Sequence, residues 1–168
     1  MKLIICCGGD RVGKSTLCNE FIKNGFEYHH FIAPKFSAYG EFGGFANQYL
    51  LDPVNRDKKI ILDRYMYCDF PYSRHYGRST DMTWDGMHRI EDIMLGLDPT
   101  ATIVYCENDI DLNWKLIEEE GKHEFKTKEE VIQLRNDYRD VMLHSKLKCL
   151  TYDFTKGDTP TGMYNKII

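Results

Sequence analysis

The sequence predicts an α/β protein: a three-layer α/β/α fold built on a five-stranded parallel sheet. Three observations carry this. Short apolar runs recur along the chain with amphipathic helical patterns between them. A glycine-rich turn joins the first run to the first helical pattern. The 168 residues suffice for one domain with a sizeable core, and no repeat or Pro/Gly/Ser-rich linker divides them. Strands alternating with helices pair in parallel, with the crossover helices covering both faces of the sheet.

Each element has its own signal. Lys2–Cys7 is a near-continuous apolar run, as expected of a strand buried on both faces. A helix follows over Lys14–Asn24. Tyr28–Ile32 reads as the second strand, and Phe42–Leu51 as a helix. Lys59–Asp63 is the third strand, followed by a helix over Met66–Arg74. In the next helix, Trp84–Leu95, the residues Trp84, Met87, Ile90, Ile93 and Met94 fall at helical spacing and belong to the core. Thr102–Cys106 is the fourth strand and Ile110–Glu119 a helix, with Gly121 as its C-cap and a hinge for a lid over about 108–127. The last helix, Lys128–Lys146, is the clearest, with Val131, Leu134, Tyr138, Val141 and Met142 on one face. Thr127 and Glu130 make its capping box. Lys148–Tyr152 closes the sheet.

Composition narrows the class. Hydrophobic residues at 42% and charged residues at 29% describe an ordinary globular domain. No apolar run reaches the ~20 residues of a membrane span, and a first strand running straight into the glycine turn leaves no room for a signal peptide. The six cysteines form no C-x-x-C pair; Cys6, Cys7, Cys106 and Cys149 lie in apolar runs and are expected as buried thiols in a reducing, cytoplasmic setting. A net charge of −4 gives no bulk attraction to nucleic acid. His29, His30, His88, His123 and His144 lack ligand spacing with cysteines or carboxylates, so zinc is not expected. Glu118-Glu119-Glu120 and the charges over 126–130 read as solvated surface.

The chemistry begins at Gly8-Gly9-Asp10-Arg11-Val12-Gly13-Lys14-Ser15-Thr16, the G-x-x-x-x-G-K-[ST] pattern set between a strand and a helix. Gly8 and Gly13 free the backbone so that successive N–H groups can point at phosphate oxygens, and the helix N-terminus adds its dipole. Lys14 would reach the β- and γ-phosphates, and the Ser15 hydroxyl would ligate Mg²⁺. The pattern resembles the phosphate loop of P-loop NTPases, and a bound nucleoside triphosphate is expected. Gly8, Asp10, Gly13, Lys14, Ser15 and Thr16 are its nucleotide-binding candidates.

In open α/β sheets the site lies at the carboxyl ends of the strands, which also brings Ala33–Phe36, Asp63–Tyr65 and Glu107 under suspicion. Ile60-Ile61-Leu62-Asp63-Arg64-Tyr65 ends a strand in an acid-base pair. The acid can hold Mg²⁺, directly or through water, or orient an acceptor; Arg64 can fork a phosphate. The tyrosines and phenylalanine at 65, 67, 70, 72 and 76, beside Arg74, His75 and Arg78, read as a stacking wall for a base, as core packing, or as a groove for single-stranded nucleic acid.

At these residues the chain resembles the thymidylate kinases and related deoxynucleoside and nucleoside monophosphate kinases. Asp10-Arg11-Val12-Gly13-Lys14-Ser15-Thr16 matches their D-R-x-G-K-[ST]-T loop, and Asp63-Arg64-Tyr65 their D-R-Y strand end. Pro71-Tyr72-Ser73, Gly77-Arg78, Asp98-Pro99 and Leu134-Arg135-x-x-Tyr138 stand where weaker family motifs stand. The resemblance implies that Arg11 is a catalytic arginine, that Asp10 touches the acceptor sugar, and that Arg64 clamps the acceptor phosphate. It implies that Asp63 supports Mg²⁺ or its water shell and that Tyr72 stacks on the deoxyribose, with Arg78 nearby. Members with an arginine in this loop tend to lack one in the lid. From Asp111 to Lys126 there is none, only Lys115, Lys122 and Lys126.

The chain also departs from the family. The step from Lys35 to Asp63 is 28 positions, and thymidylate kinases use roughly twice that. Their Phe-x-x-x-Arg base reader has no counterpart. Phe36, Phe45 and Tyr49 are the aromatic substitutes, and the base is left open. So trimmed an enzyme would suit a viral genome and the host cytosol.

The expected function is phosphoryl transfer from ATP, with Mg²⁺, to a deoxynucleoside monophosphate. Lys14, Arg11, Arg64 and Asp63 would be catalytic; Asp10, Phe36, Arg64, Tyr72 and Arg78 would bind substrate; Ser15 and Asp63 would hold the metal. A deoxynucleoside kinase, with Asp63 as base toward a 5′-hydroxyl, is the nearest alternative. A nucleotide-binding switch lacks a D-x-x-G and an N-K-x-D in the right places, and a nucleic-acid-directed kinase lacks basic charge. No membrane partner is expected. Thymidylate kinases are commonly dimers, which makes a homodimer the expectation from resemblance.

Overall fold

The computed structural model describes residues 1–121 and 124–168. Lys122 and His123, one in the expected lid and one among the weighed histidines, lie outside the described residues. Five parallel strands, β1 (Lys2–Cys7), β2 (Glu27–His30), β3 (Lys59–Asp63), β4 (Thr102–Glu107) and β5 (Lys148–Asp153), form one sheet in the order β2-β3-β1-β4-β5. β1 is therefore central. Ile4 stands opposite both Ile61 and Thr102, and the chain builds β2 and β3 on one side before crossing to β4 and β5. The carboxyl edge beside β1 is the switch point where such sheets bind ligands.

Alternation along β1 divides the core. Leu3, Ile5 and Cys7 pack toward α2 (Ala38–Phe45), α3 (Asp69–His75), α4 (Trp84–Leu97), α5 (Ile110–Glu120) and α6 (Lys128–His144). Ile4 and Cys6 pack toward α1 (Lys14–Lys23) and α7 (Pro160–Ile167). The result is the three-layer α/β/α fold the sequence predicts. Among the described residues no helix is long and apolar enough to cross a membrane.

Three local outcomes differ from the sequence reading. α2 begins at Ala38 rather than Phe42, because the Ser37 hydroxyl caps it by accepting from the Gly40 N–H; a single π turn over Ala46–Leu50 then continues it. α7 was not foreseen. Thr159 caps it and Pro160 opens it, and Met163 and Tyr164 pack on Phe21 of α1. Cys149, expected inside, is exposed on the edge strand β5. Below, the capping box of α6 forms as read, and Gly121 ends α5 in the left-handed region with φ 66°.

Candidate active site

The loop between β1 and α1 gets its shape from two glycines. Gly8 has φ 140°, and a Cβ there would lie 2.3 Å from the Cys106 carbonyl oxygen of β4. Gly13 has φ 84° and directly precedes α1. Between them Arg11 also takes a left-handed conformation, φ 58°, at about 1–2 kcal/mol for a residue with a Cβ. Two asparagines from the far side of the sheet fasten the loop. Asn108 donates to the Arg11 carbonyl (3.0 Å) and Asn113 of α5 to the Asp10 carbonyl (2.8 Å). With those carbonyls tied outward, the loop's N–H groups are left for a ligand.

This loop floors a cleft of about 760 Å³. Asp10, Arg11, Gly13, Lys14, Ser15, Thr16, Asp63 and Arg64 all line it, so most of the expected site residues converge. Gly8 lies beneath, packed on β4. Lys14 is only 8% exposed, and its ammonium donates to the Gly9 carbonyl inside the loop. It is a largely sequestered charge at the floor of the cleft.

The acid-base pair at the end of β3 does not pair with itself. Arg64 and Tyr65 take positive φ, 77° and 40°, and this elbow turns the Arg64 side chain to Asp10 of the loop, Nη2 to Oδ1 at 3.0 Å. Burial alone would lower the Arg64 pKa; Tyr72 and the Asp10 carboxylate outweigh it and hold the guanidinium above its usual value. Asp63 is buried. Its Oδ2 accepts from the Tyr28 hydroxyl (2.8 Å) and lies 3.0 Å from His30 Nδ1, while Oδ1 has no hydrogen-bond partner. Burial and the Asp63 contact in turn push the Tyr28 phenol well up. The sequence reading missed Tyr28 and His30. Both alternate onto one side of β2, and only the sheet register, His30 opposite Asp63, reveals the contact.

The orphaned Asp63 oxygen and the Ser15 hydroxyl are hard oxygen donors of the kind that hold Mg²⁺ together with nucleotide phosphates. Among the described residues no cluster of three or more His, Cys, Asp and Glu forms a metal cage.

α5 closes the other side. Leu116, Ile117 and Glu120 line the cleft, and Glu120 binds Arg11 at 2.7 Å. Glu120 was expected as plain surface; it is instead the loop's contact with the lid helix. Beyond Gly121, Glu124 faces Asp10 and Tyr76, and burial and then the Asp10 charge raise its pKa.

A second cavity, about 190 Å³, opens beside the first, and Arg64 and Glu124 line both. Tyr72 and Arg78 belong to it, as expected, together with Asp69, which the sequence reading passed over. Ala33 and Pro34 contribute from the loop after β2. Phe36 does not: it is 98% exposed and lines neither cavity, because the Lys35 and Phe36 N–H groups bind Glu41 and turn the loop outward. Phe45 and Tyr49 are also absent from both walls. They stack on each other at 5.0 Å, with His29 and Tyr65 around them, as core. The proposed aromatic wall likewise splits. Tyr65 and Tyr67 are buried, bonded to the Phe42 carbonyl and to Glu91, while Tyr72 and Tyr76 face the cavity. Glu107 lines neither of these two cavities; it is buried against Arg139 at 2.8 Å.

No protein-family model and no curated protein matches this chain. Solved structures do. They share its fold, a five-stranded parallel sheet with helices on both faces. It is similar to YorR of Bacillus subtilis, solved in complex with phosphorylated GDP, with a TM-score of 0.77 and 20% identity over 99% of this chain and 93% of that one. It is similar to deoxyadenosine kinase from M. mycoides with bound dCTP, at TM-score 0.57 and 21% identity over 99% and 98% of the two chains. For thymidylate kinase from Candida albicans the TM-score is 0.56 and the identity 16%, over 98% and 88%.

Proposed function

We propose that this protein is an ATP- and Mg²⁺-dependent phosphotransferase that moves the γ-phosphoryl group onto a deoxynucleoside monophosphate, giving the diphosphate. The observation that carries the reading is Arg64 at the junction of the two cavities, with the phosphate loop on one side and an aromatic-walled pocket on the other. A doubly negative acceptor needs a cation where its phosphate meets the donor's.

Each residue then has a role. Lys14 and the loop N–H groups hold the β- and γ-phosphates. Arg11, leaving Glu120, adds positive charge to the transferring group, and Ser15 and Asp63 hold Mg²⁺, which when bound neutralises phosphate charge. Arg64 exchanges the Asp10 carboxylate for acceptor phosphate oxygens. Asp10 is then free for the sugar hydroxyl, and Tyr72 packs on the sugar. Such transfer needs positioning and charge compensation more than covalent chemistry. The enzyme would work in the cytosol, that of a virus-infected cell included.

A 5′-hydroxyl acceptor is the second reading, favoured by one observation. Glu124, a carboxyl of raised pKa, stands at the same junction and would serve as its base, since Asp63 already holds Tyr28 and His30. ATP consumption with Mg²⁺ over deoxynucleoside monophosphates, ribonucleoside monophosphates and free nucleosides separates the two. Turnover of monophosphates alone is expected. Turnover of nucleosides alone would move the base role to Glu124. Silence with ATP still bound would end the small-acceptor reading.

A further inference from the structure

Resting on that acceptor reading, we propose that Asp69 reads the acceptor's base, and that the small cavity takes a base with an exocyclic amino group (cytosine, adenine or guanine) over thymine or uracil. The two cavities share Arg64 and Glu124, which marks the phosphate end of the smaller one. Asp69 and Arg78 line the smaller cavity and not the phosphate cleft, with Phe31, Phe42, Tyr72 and Tyr76 as walls. This is the arrangement of a base slot: flat apolar sides and a few polar groups for the edge.

Asp69 is 6% exposed and, among the described residues, forms no ion pair. Ser73 donates to its Oδ1 at 3.4 Å and Thr80 to its Oδ2. A carboxylate offers about four acceptor sites, so two hydroxyls leave capacity for a ligand. Burial pushes its carboxyl up, and the Thr80 hydrogen bond and the charge of Arg78 offset part of that rise. An ionised carboxylate only accepts. Amino groups project from the edge of cytosine, adenine and guanine and donate to it directly, and guanine adds a ring N–H beside its amino group. The single N–H of thymine or uracil is recessed between two carbonyls, so a carboxylate approaching it meets at least one carbonyl oxygen. Arg78, over the Tyr76 ring at 5.4 Å, supplies the donor for the ring nitrogen or carbonyl that accompanies each amino group.

The test is kcat/KM and equilibrium binding for dCMP, dAMP, dGMP, dTMP and dUMP, with the wild type and with Asp69→Asn. The wild type is expected to prefer an amino-bearing monophosphate by about tenfold or more, the worth of one charge-assisted hydrogen bond. Asp69→Asn can donate to a carbonyl and accept from the ring N–H, so it should gain on dTMP and dUMP while losing on the others. A wild type that prefers dTMP or dUMP overturns the proposal and leaves the phosphotransferase reading standing. So does a folded Asp69→Asn with an unchanged ranking, which would make the carboxylate merely structural. Absence of both turnover and binding over all five would instead remove the acceptor reading itself. The wild-type ranking needs no variant, so the proposal stays exposed to refutation even if Asp69→Asn does not fold.

Discussion

The large cleft and the small cavity meet at Arg64 and Glu124 but are assembled from different materials. The large cleft is floored by consecutive residues, 10 to 16, in a loop whose backbone is shaped by Gly8 and Gly13 and tied by Asn108 and Asn113. The small cavity is walled by side chains from the loop after β2, from α2, from the β3 elbow and α3, and from Glu124. Phosphate is the same in every nucleotide and can be met by main-chain N–H groups. A base is told apart only at its edge, and that requires particular side chains brought from distant places.

Four experiments would break or sharpen this contrast. The largest effect is expected at Lys14. Lys14→Ala should lower turnover about 10²–10³-fold for every acceptor alike, because it removes a buried charge from the phosphate-loop cleft. Steady-state kinetics on two acceptors checks this, and a loss confined to one of them would contradict the division of labour. Next comes Gly8→Ala, expected to cost more than about 2 kcal/mol in denaturant unfolding, since its Cβ would strike the Cys106 carbonyl. Gly25→Ala, with φ 82° but nothing within 4 Å, should cost about 1 kcal/mol. Equal losses would mean that conformation alone, not the close approach to β4, makes Gly8 necessary.

A smaller effect is expected at Glu27, outside both cavities. Lys58 and Tyr49 hold its carboxyl down to about 2, against 4.5. The folded pKa is depressed, so the contribution is present above pH 4.5 and is lost as pH falls toward 2. At 40% exposure, Glu27→Gln should cost under about 1 kcal/mol at pH 7 and less at pH 3, measured by urea unfolding. An increase in cost at low pH would reverse the assigned sign. Phe36→Ser should change neither KM nor stability beyond about 0.5 kcal/mol, because the ring touches neither cavity.

The same contrast governs what could be read from the chain. The glycine loop, Lys14, Ser15 and the Asp63-Arg64 strand end were legible because short-range geometry dictates them. Parallel pairing with helices on both faces followed from alternation and the crossover rule, whereas the order β2-β3-β1-β4-β5 is carried by long-range pairing alone. The small cavity was legible only in part. Tyr72 and Arg78 came with a motif, but Asp69 lacks a local pattern, and Phe36 looked like a base reader until the Glu41 carboxylate turned its loop away. Tyr28 and His30 reach Asp63 through strand register, which spacing along the sequence does not carry. Arg64 was expected to clamp an acceptor phosphate, but its contact with Asp10 was not read. The positive φ at 64 and 65 turns it to Asp10, and bulky residues give no sign of such a turn. α7 escaped notice because its one strong signal, Thr159-Pro160, precedes only two turns of helix.

The seat of Gly8 against the Cys106 carbonyl also bears on how the molecule assembles. Ile4 finds its β4 partner, Thr102, almost a hundred residues away, and closing loops of that length makes parallel sheets slow to fold. Until β4 docks, the turn that precedes Lys14 has no surface to mould it. The most recognisable stretch of the chain is thus among the last to acquire its working shape, and refolding followed by nucleotide binding should lag behind refolding followed by helix content.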